Sequence, residues 1–466
     1  MALLTTISGI RGTIGGSAGQ GLTPADIVKF CAAYCTVLSS QNVYKRLKIV
    51  VGRDGRISGP VVHNLVTATL QSMGADVIDL GLSTTPTVEM AVPFHQANGG
   101  IILTASHNPK EWNALKLLNN KGEFISAELG TELLALAASG EVQYADVDNL
   151  GAITRDTAAL QRHIDAICAY PLVNLRAIQS AGFKIGLDPI NSSGALAVPE
   201  LLKALGVDVV KGINMDMHGD FSHNPEPLPQ HLTELSALVI NEKLDLGIAV
   251  DPDVDRLAFM CEDGSFFGEE YTLVAVADYV LSKRKGNTVS NLSSTRALRD
   301  VTLAQGGSYQ ASAVGEVNVV NLMKATHAVI GGEGNGGIIV PDLHYGRDAL
   351  IGIALFLSLL AERRITPSQL RLSYPHYEMA KEKISLPDPS LVRQVLEATK
   401  SAFTGATVDT TDGVKVDLPE GWVHLRPSNT EPIIRVYAES SSPEAAAALA
   451  KRAMDVALQI LNTAKV

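Results

Sequence analysis

The residues Thr104-Ala105-Ser106-His107-Asn108-Pro109-Lys110 follow directly on the apolar run Ile101-Ile102-Leu103. A β-branched run that stops in Ser, His, Asn and Pro reads as a strand delivering a polar loop. That loop carries a hydroxyl, an imidazole and an ammonium, and a second lysine, Lys116, follows shortly. A serine is a poor nucleophile at its free pKa and needs a base, a cationic setting or a metal. The loop offers the first two. The third could come from Asp251-Pro252-Asp253-Val254-Asp255-Arg256, directly after the apolar run Leu246-Gly247-Ile248-Ala249-Val250. Carboxylates at alternate positions repel one another unless a cation or hydrogen-bond donors neutralise them. Oxygen-only ligands select a hard cation, with Mg²⁺ the default where phosphate is present. The chemistry implied is phosphoryl transfer on Ser106.

An EF-hand is the sharpest rival for the acidic run, since Glu262 falls at its last ligand position. It fails because Arg256 stands where that loop requires glycine, and because the flanks read as strands. Gly331-Gly332-Glu333-Gly334-Asn335-Gly336-Gly337 has the wrong glycine spacing for a dinucleotide fingerprint. Its carboxylate and amide could grip sugar hydroxyls instead. Arg426-Pro427-Ser428-Asn429-Thr430-Glu431-Pro432, with Arg435 beyond, offers hydroxyls, turn N–H groups and two guanidinium forks, a set suited to a phosphate dianion. Near the start, Ser8-Gly9-Ile10-Arg11-Gly12-Thr13 sets one arginine between glycines. Gly15-Gly16-Ser17-Ala18-Gly19 matches a hydrolase elbow in letters only, without the strand before it or the helix after.

These loops need elements to hold them. Lys48-Ile49-Val50-Val51, Lys184-Ile185-Gly186-Leu187 and Ala328-Val329-Ile330 also run into polar or glycine-rich turns, and helical segments such as Val61 to Met73 and Ala195 to Leu205 lie between strands. Alternation of this kind predicts α/β units with largely parallel sheets, functional loops gathering at strand C-termini. The last quarter differs. Val414 to Leu418, Trp422 to Leu425 and Ile433 to Tyr437 are closely spaced strands, followed by an alanine-rich helix with Ser442 as N-cap and Pro443 at its first position.

With 466 residues the chain is expected to hold three or four domains, divided here at 1–150, 151–256, 257–370 and 371–466. Its 38 basic and 49 acidic residues give a net charge of −11, which argues against a nucleic-acid-binding surface. The four cysteines form no C-x-x-C pair, and Cys31 and Cys35 are spaced as two small core residues on one helix face. Ala349 to Ala361, the longest apolar run, suits a buried helix better than a membrane span. The first residues lack the features of a signal peptide. A reducing, cytoplasmic compartment is expected.

In order and content, the motifs from Ser8 to Arg435 resemble the α-D-phosphohexomutases, the phosphoglucomutase/phosphomannomutase superfamily. The resemblance implies a heart-shaped α/β protein of four domains: three related α/β domains with mixed sheets and a smaller C-terminal α+β domain. It makes Ser106 the phosphorylated serine and Asp251, Asp253 and Asp255 the Mg²⁺ ligands, with the phosphoserine supplying another oxygen. Arg11, His107, Lys116 and Arg256 become the basic and catalytic shell, with Lys116 and His107 as candidates for general acid and base. Glu333 and Asn335 fall in the sugar-recognition loop. Arg426, Ser428, Asn429, Thr430 and Arg435 fall in the loop for the non-reacting phosphate. It further implies a small-molecule sugar phosphate as partner, no nucleic acid or membrane, a monomer or homodimer, and a bisphosphorylated sugar as activator.

Asn335 stands where most members carry Ser, and Gly337 where many carry His. Ser312-Ala313-Val314-Gly315-Glu316 replaces a segment that often has a lysine after its glycine. A Glu-x-Asn-Gly-Gly loop looks most like the archaeal-type phosphoglucosamine mutases, which points to glucosamine phosphates, with Glu316 a carboxylate suited to an ammonium group. The alternatives are a mutase of neutral hexose phosphates, a phosphatase using the same serine and metal, and a non-catalytic sugar-phosphate or Ca²⁺-binding protein. Two phosphate-contacting regions favour a mutase over a phosphatase.

Overall fold

A computed structural model describes residues 3–6, 9–41, 46–386, 388–428 and 432–463. It contains four sheets, and the chain divides into two compact units, residues 1–279 with 335–370, and residues 280–334 with 371–466.

The first unit holds a seven-stranded sheet in the order Leu3–Thr6, Gly9–Thr13, Trp112–Leu118, Gly99–Leu103, Lys48–Arg53, Asp76–Leu82, Ile153–Arg155. One face packs on the helices Pro24–Gln41, Gly59–Ser72 and Ala127–Ser139, through a core that includes Cys31, Cys35, Val51, Val66, Leu103 and Leu133. The other face packs on Thr85–Phe94 through Val50, Val88, Val92 and Ile102. Burial raises the Cys31 thiol and pushes Cys35 up to about 12, so both are inert core residues.

The sheet is mixed, as the family resemblance implied, whereas strand–helix alternation alone predicted a largely parallel one. Lys48–Arg53 is parallel to both neighbours, but Gly99–Leu103 pairs antiparallel with Trp112–Leu118. Residues 104–111 are too few for the crossover of a dozen or more that a parallel return needs. The same constraint shapes the four-stranded sheet Leu257–Cys261, Leu246–Val250, Lys184–Asp188, Val209–Gly212, in which only the first pair is antiparallel. Residues 251–256 form the tight connection of that pair, and the division expected at 256/257 falls inside it. Both chemically loaded loops are therefore short antiparallel connections, which leaves their backbones little freedom.

Helix Ala349–Arg363 also belongs to the first unit. Its residues from Ala349 to Leu360 are all buried, and Asp348 caps it by accepting from the N–H groups of Leu350 and Ile351. Among the described residues no helix is long and apolar enough to cross a membrane.

In the second unit, Asn287–Asn291 lies parallel to both Tyr309–Ser312 and Ala328–Glu333. The last strand runs through Gly331 and Gly332, where a turn was expected. A side chain at Gly331 would sit 2.5 Å from the Met323 sulfur and 2.7 Å from the Val289 carbonyl oxygen, so glycine there serves strand packing. A five-stranded antiparallel sheet follows in the order Glu378–Ser385, Ile433–Ser440, Gly421–Pro427, Val414–Leu418, Thr407–Asp409. The helices Val392–Ala402 and Pro443–Thr463 cover one face of it through Val395, Val416, Val423, Val436 and Ala453. Ser442 Oγ accepts from the Ala445 N–H at 3.2 Å, the expected cap.

Candidate active site

Strand Gly99–Leu103 delivers Ser106 into a left-handed backbone conformation, φ +49°, uncommon outside glycine. Three contacts hold that turn. The Ser106 N–H donates to Thr104 Oγ1 (2.9 Å), and Thr104 Oγ1 donates to Asp54 Oδ2 (2.7 Å). Arg56 Nη2 donates to the Ser106 carbonyl. The Ser106 hydroxyl donates to Asp251 Oδ2 at 2.7 Å, and its oxygen lies 3.4 Å from His107 Nδ1.

The acidic loop is equally constrained. Asp251 Oδ1 accepts from the N–H groups of Asp255 and Arg256, both at 3.1 Å, and Val254 takes φ +63°, a genuine outlier for a β-branched residue. One oxygen from each of Asp251, Asp253 and Asp255 lies within 4.8 Å of the others, and all three residues are fully buried. Cations face them. Lys116 Nζ lies 2.6 Å from Asp253 Oδ2 and 3.2 Å from Asp255 Oδ2, and Arg347 Nη2 lies 2.7 Å from Asp255 Oδ2. Thr85 Oγ1 donates to Asp253 Oδ2 at 2.5 Å. Arg256 spans from Asp255 (4.0 Å) to Glu226 (3.6 Å), and Arg11 Nη1 donates to Asn108 Oδ1 (2.7 Å) in the serine loop.

Burial and its neighbours Asp255 and Asp253 push the Asp251 carboxyl well above the usual carboxylate range. For Asp255 burial acts in the same sense but is outweighed by Arg347 and Lys116, which hold it low. Burial pulls Lys116 down, yet Asp253 and Asp255 prevail and keep its ammonium charged. His107 is driven well below the ordinary imidazole range by burial, then by Arg256 and Arg11, and stays neutral. The Oδ1 atoms of Asp253 and Asp255 are buried without a hydrogen-bond partner, that of Asp255 facing Arg256 Nε at 4.0 Å. Buried, orphaned carboxylate oxygens beside a raised carboxyl are what a hard divalent cation would satisfy, so the donor set fits Mg²⁺.

The comparisons with known proteins agree across the whole chain. Four models described as phosphoglucomutase/phosphomannomutase match: alpha/beta/alpha domain I at residues 3–143, domain II at 161–264, domain III at 268–377 and the C-terminal domain at 383–456. The chain belongs to this family. Its enzymes are isomerases that transfer phosphate within a sugar phosphate, and this phosphohexomutase is one of them. A probable phosphoglucosamine mutase of Methanopyrus kandleri is 32% identical over 96% of each chain. A phosphoglucomutase/phosphomannomutase of Thermococcus kodakarensis is 34% identical over 93% of this chain and 95% of its own. A solved phosphoglucomutase/phosphomannomutase family protein from Burkholderia thailandensis superposes with a TM-score of 0.83 at 26% identity, covering 99% of this chain and 98% of that one.

The remaining sequence-derived residues of this phosphohexomutase are dispersed. Asn335 lies in the first unit, where its Oδ1 accepts from the Gly337 N–H at 3.2 Å. Glu333 lies in the second, where its Oε1 accepts from Asn291 Nδ2 (2.8 Å) and the Gly315 N–H (3.1 Å). Glu316, in the first turn of helix Glu316–Thr326, is buried. Arg426 and Arg435 are direct cross-strand partners, and Lys383 stands opposite Arg435 on its other side. Three cations thus stand in one row across the five-stranded sheet, with Arg426 paired to Asp412 at 3.7 Å. The Ser428 N–H donates to the Ile433 carbonyl. Ser8, Asn429 and Thr430 lie outside the described residues.

Lys110, grouped with the loop's chemistry in the sequence, instead pairs with Asp220 at the surface, 2.6 Å away. Sequence reasoning missed Arg56, Thr85 and Arg347. Arg56 is fully buried, pairs with Asp54 at 3.0 Å, and donates to the carbonyls of Ser106, Asn108, Pro109 and Trp112. Its signal was the turn Asp54-Gly55-Arg56 after an apolar strand. For Arg347 the signal was its place beside the helix-capping Asp348.

Proposed function

We propose that this phosphohexomutase interconverts glucosamine 6-phosphate and glucosamine 1-phosphate through phosphorylated Ser106 and a bisphosphosugar. The observation that carries the phosphoryl-transfer step is the Ser106 hydroxyl 2.7 Å from Asp251, inside a buried set of three carboxylates and their cations. Asp251, Asp253 and Asp255, with an oxygen of phosphoserine, would hold Mg²⁺. When bound, the ion supplies positive charge that stabilises the transferring phosphoryl group.

The remaining work belongs to the chain. Arg11 and Arg256 add fixed positive charge around the serine loop. A hydroxyl of the sugar attacks the phosphorus, the P–O bond to Ser106 Oγ breaks, and the product is a bisphosphosugar. His107, neutral, is fitted to take the proton of the attacking hydroxyl. Lys116, held charged, is fitted to supply one to Ser106 Oγ. The intermediate turns end for end, and its other phosphate returns to Ser106 by the reverse sequence. Arg426, Ser428, Asn429, Thr430 and Arg435 are proposed to hold the phosphate that is not reacting. Glu333 and Asn335 are proposed to grip sugar hydroxyls. A bisphosphorylated sugar primes Ser106, and the setting is the cytoplasm.

Glucosamine is favoured by the Glu333-x-Asn335-Gly-Gly loop and by relatives named probable phosphoglucosamine mutase. Neutral hexose phosphates are the second reading, favoured by the Thermococcus kodakarensis relative named phosphoglucomutase/phosphomannomutase. Equal amounts of glucosamine 6-phosphate, glucose 1-phosphate and mannose 1-phosphate, followed together by phosphorus NMR with Mg²⁺ and Ser106-phosphorylated protein, separate them. Preferential conversion of the amino sugar is expected. Faster turnover of the neutral hexoses would keep the mechanism and overturn the substrate.

A further inference from the structure

Behind the acidic loop lies a second charged cluster that the proposed reaction does not use. Glu89, on helix Thr85–Phe94, is buried. His344 lies between two carboxylates, its Nδ1 3.4 Å from Glu89 Oε2 and its Nε2 3.3 Å from Asp348 Oδ2. His163 Nε2 also meets Asp348 Oδ2, at 2.9 Å, and its Nδ1 meets Thr87 Oγ1 at 3.0 Å. With a carboxylate facing each ring nitrogen, His344 joins helix Thr85–Phe94 to the segment leading to helix Ala349–Arg363 through a hydrogen bond to Asp348 and an ion-pair contact with Glu89. Gly346 permits the approach, because a Cβ there would fall 1.9 Å from Glu89 Oε2.

The two elements joined in this way carry two supports of the acidic triad. Thr85, one turn before Glu89, donates to Asp253. Arg347, between His344 and Asp348, pairs with Asp255. Arg347 is also confined by the backbone at Gly337, since a Cβ there would lie 2.3 Å from its Cδ. Its side chain therefore fills the room that any side chain at position 337 would need.

We infer that His344 is a positioning residue for the divalent-cation site, acting through Arg347, and that Gly337 is required for the same arginine to reach Asp255. The inference rests on the proposed role of Asp251, Asp253 and Asp255 as cation ligands. Glu89 and Asp348 fix His344, His344 fixes the backbone on which Arg347 rides, and Arg347 sets the spacing of Asp255 from its neighbours. Outer groups that orient metal ligands typically account for about 10–100-fold in affinity.

The test is Mn²⁺ binding to the full-length unphosphorylated protein, followed by electron paramagnetic resonance, with folding of each variant checked by circular dichroism. His344→Gln and Gly337→Ala act on Arg347 by independent routes, and the second leaves the buried charges intact. Each is expected to weaken Mn²⁺ binding by about tenfold or more. In an Arg347→Met background neither should weaken it further, because the route through which they act is already gone. Folded variants that bind Mn²⁺ like the parent, or losses that add to that of Arg347→Met, would overturn the inference. Failure of the parent to bind Mn²⁺, or binding unchanged by Asp253→Asn, would instead overturn the cation site itself.

Discussion

Replacing Arg56 by Met should be among the most damaging single changes in the first unit. Arg56 and Asp54 are both fully buried and paired at 3.0 Å, so the variant leaves a carboxylate in the interior without its cation. Burial already pushes Asp54 upward against the pull of Arg56. Removing one partner of such a pair costs roughly 3–5 kcal/mol. The carbonyls of Ser106, Asn108, Pro109 and Trp112 lose their donor in the same step, so the serine loop should loosen as well. The chain carries two tryptophans, half-buried Trp112 in the first unit and buried Trp422 in the second, so variants that keep only one of them report each unit during urea unfolding. The Trp112 transition should fall by about 3–5 kcal/mol while that of Trp422 stays in place. Adding Asp54→Asn should recover about 1–3 kcal/mol by removing the stranded charge. A loss below about 1 kcal/mol, or no recovery in the double variant, would refute the view that this pair anchors the serine loop.

Ser106→Ala should take up no phosphoryl group from a bisphosphosugar, as read by intact mass, whereas the parent gains one. The His344 imidazole is drawn down by burial but raised to about 10 by Asp348 and Glu89. A histidine raised in the folded state adds stability that is complete below its ordinary 6.5 and is lost as pH climbs toward 10. The parent should therefore lose up to about 5 kcal/mol more than His344→Gln between those limits in urea titrations; equal slopes would contradict the charge assignment. Lys383 stands cross-strand from Arg435, so Lys383→Met should raise KM, by about tenfold at most, with kcat held. An unchanged KM would exclude Lys383 from phosphate binding.

What the sequence disclosed depended on how local the cause was. Ser106 and Asp251 to Arg256 each follow an apolar strand directly, and Ser442-Pro443 is a local capping signal, so all were legible. The mixed sheets were legible in principle, because residues 104–111 and 251–256 are too short for parallel crossovers. Alternation of strands and helices masked that cue. Arg347 reaches Asp255 from 92 positions away and Thr85 reaches Asp253 from 168, and no periodicity marks such contacts. Lys383 sits on an edge strand, Glu378–Ser385, rich in charge, where sequence alone cannot single out the lysine that stands opposite Arg435.

The most direct measurement is a single turnover of protein carrying an isotopically labelled phosphoryl group on Ser106, mixed with glucosamine 6-phosphate and Mg²⁺ and quenched over time. The label should leave Ser106 for the sugar, appearing first in a bisphosphosugar and then in glucosamine phosphates. Label released as inorganic phosphate without isomerisation, or label that stays on Ser106, would contradict it.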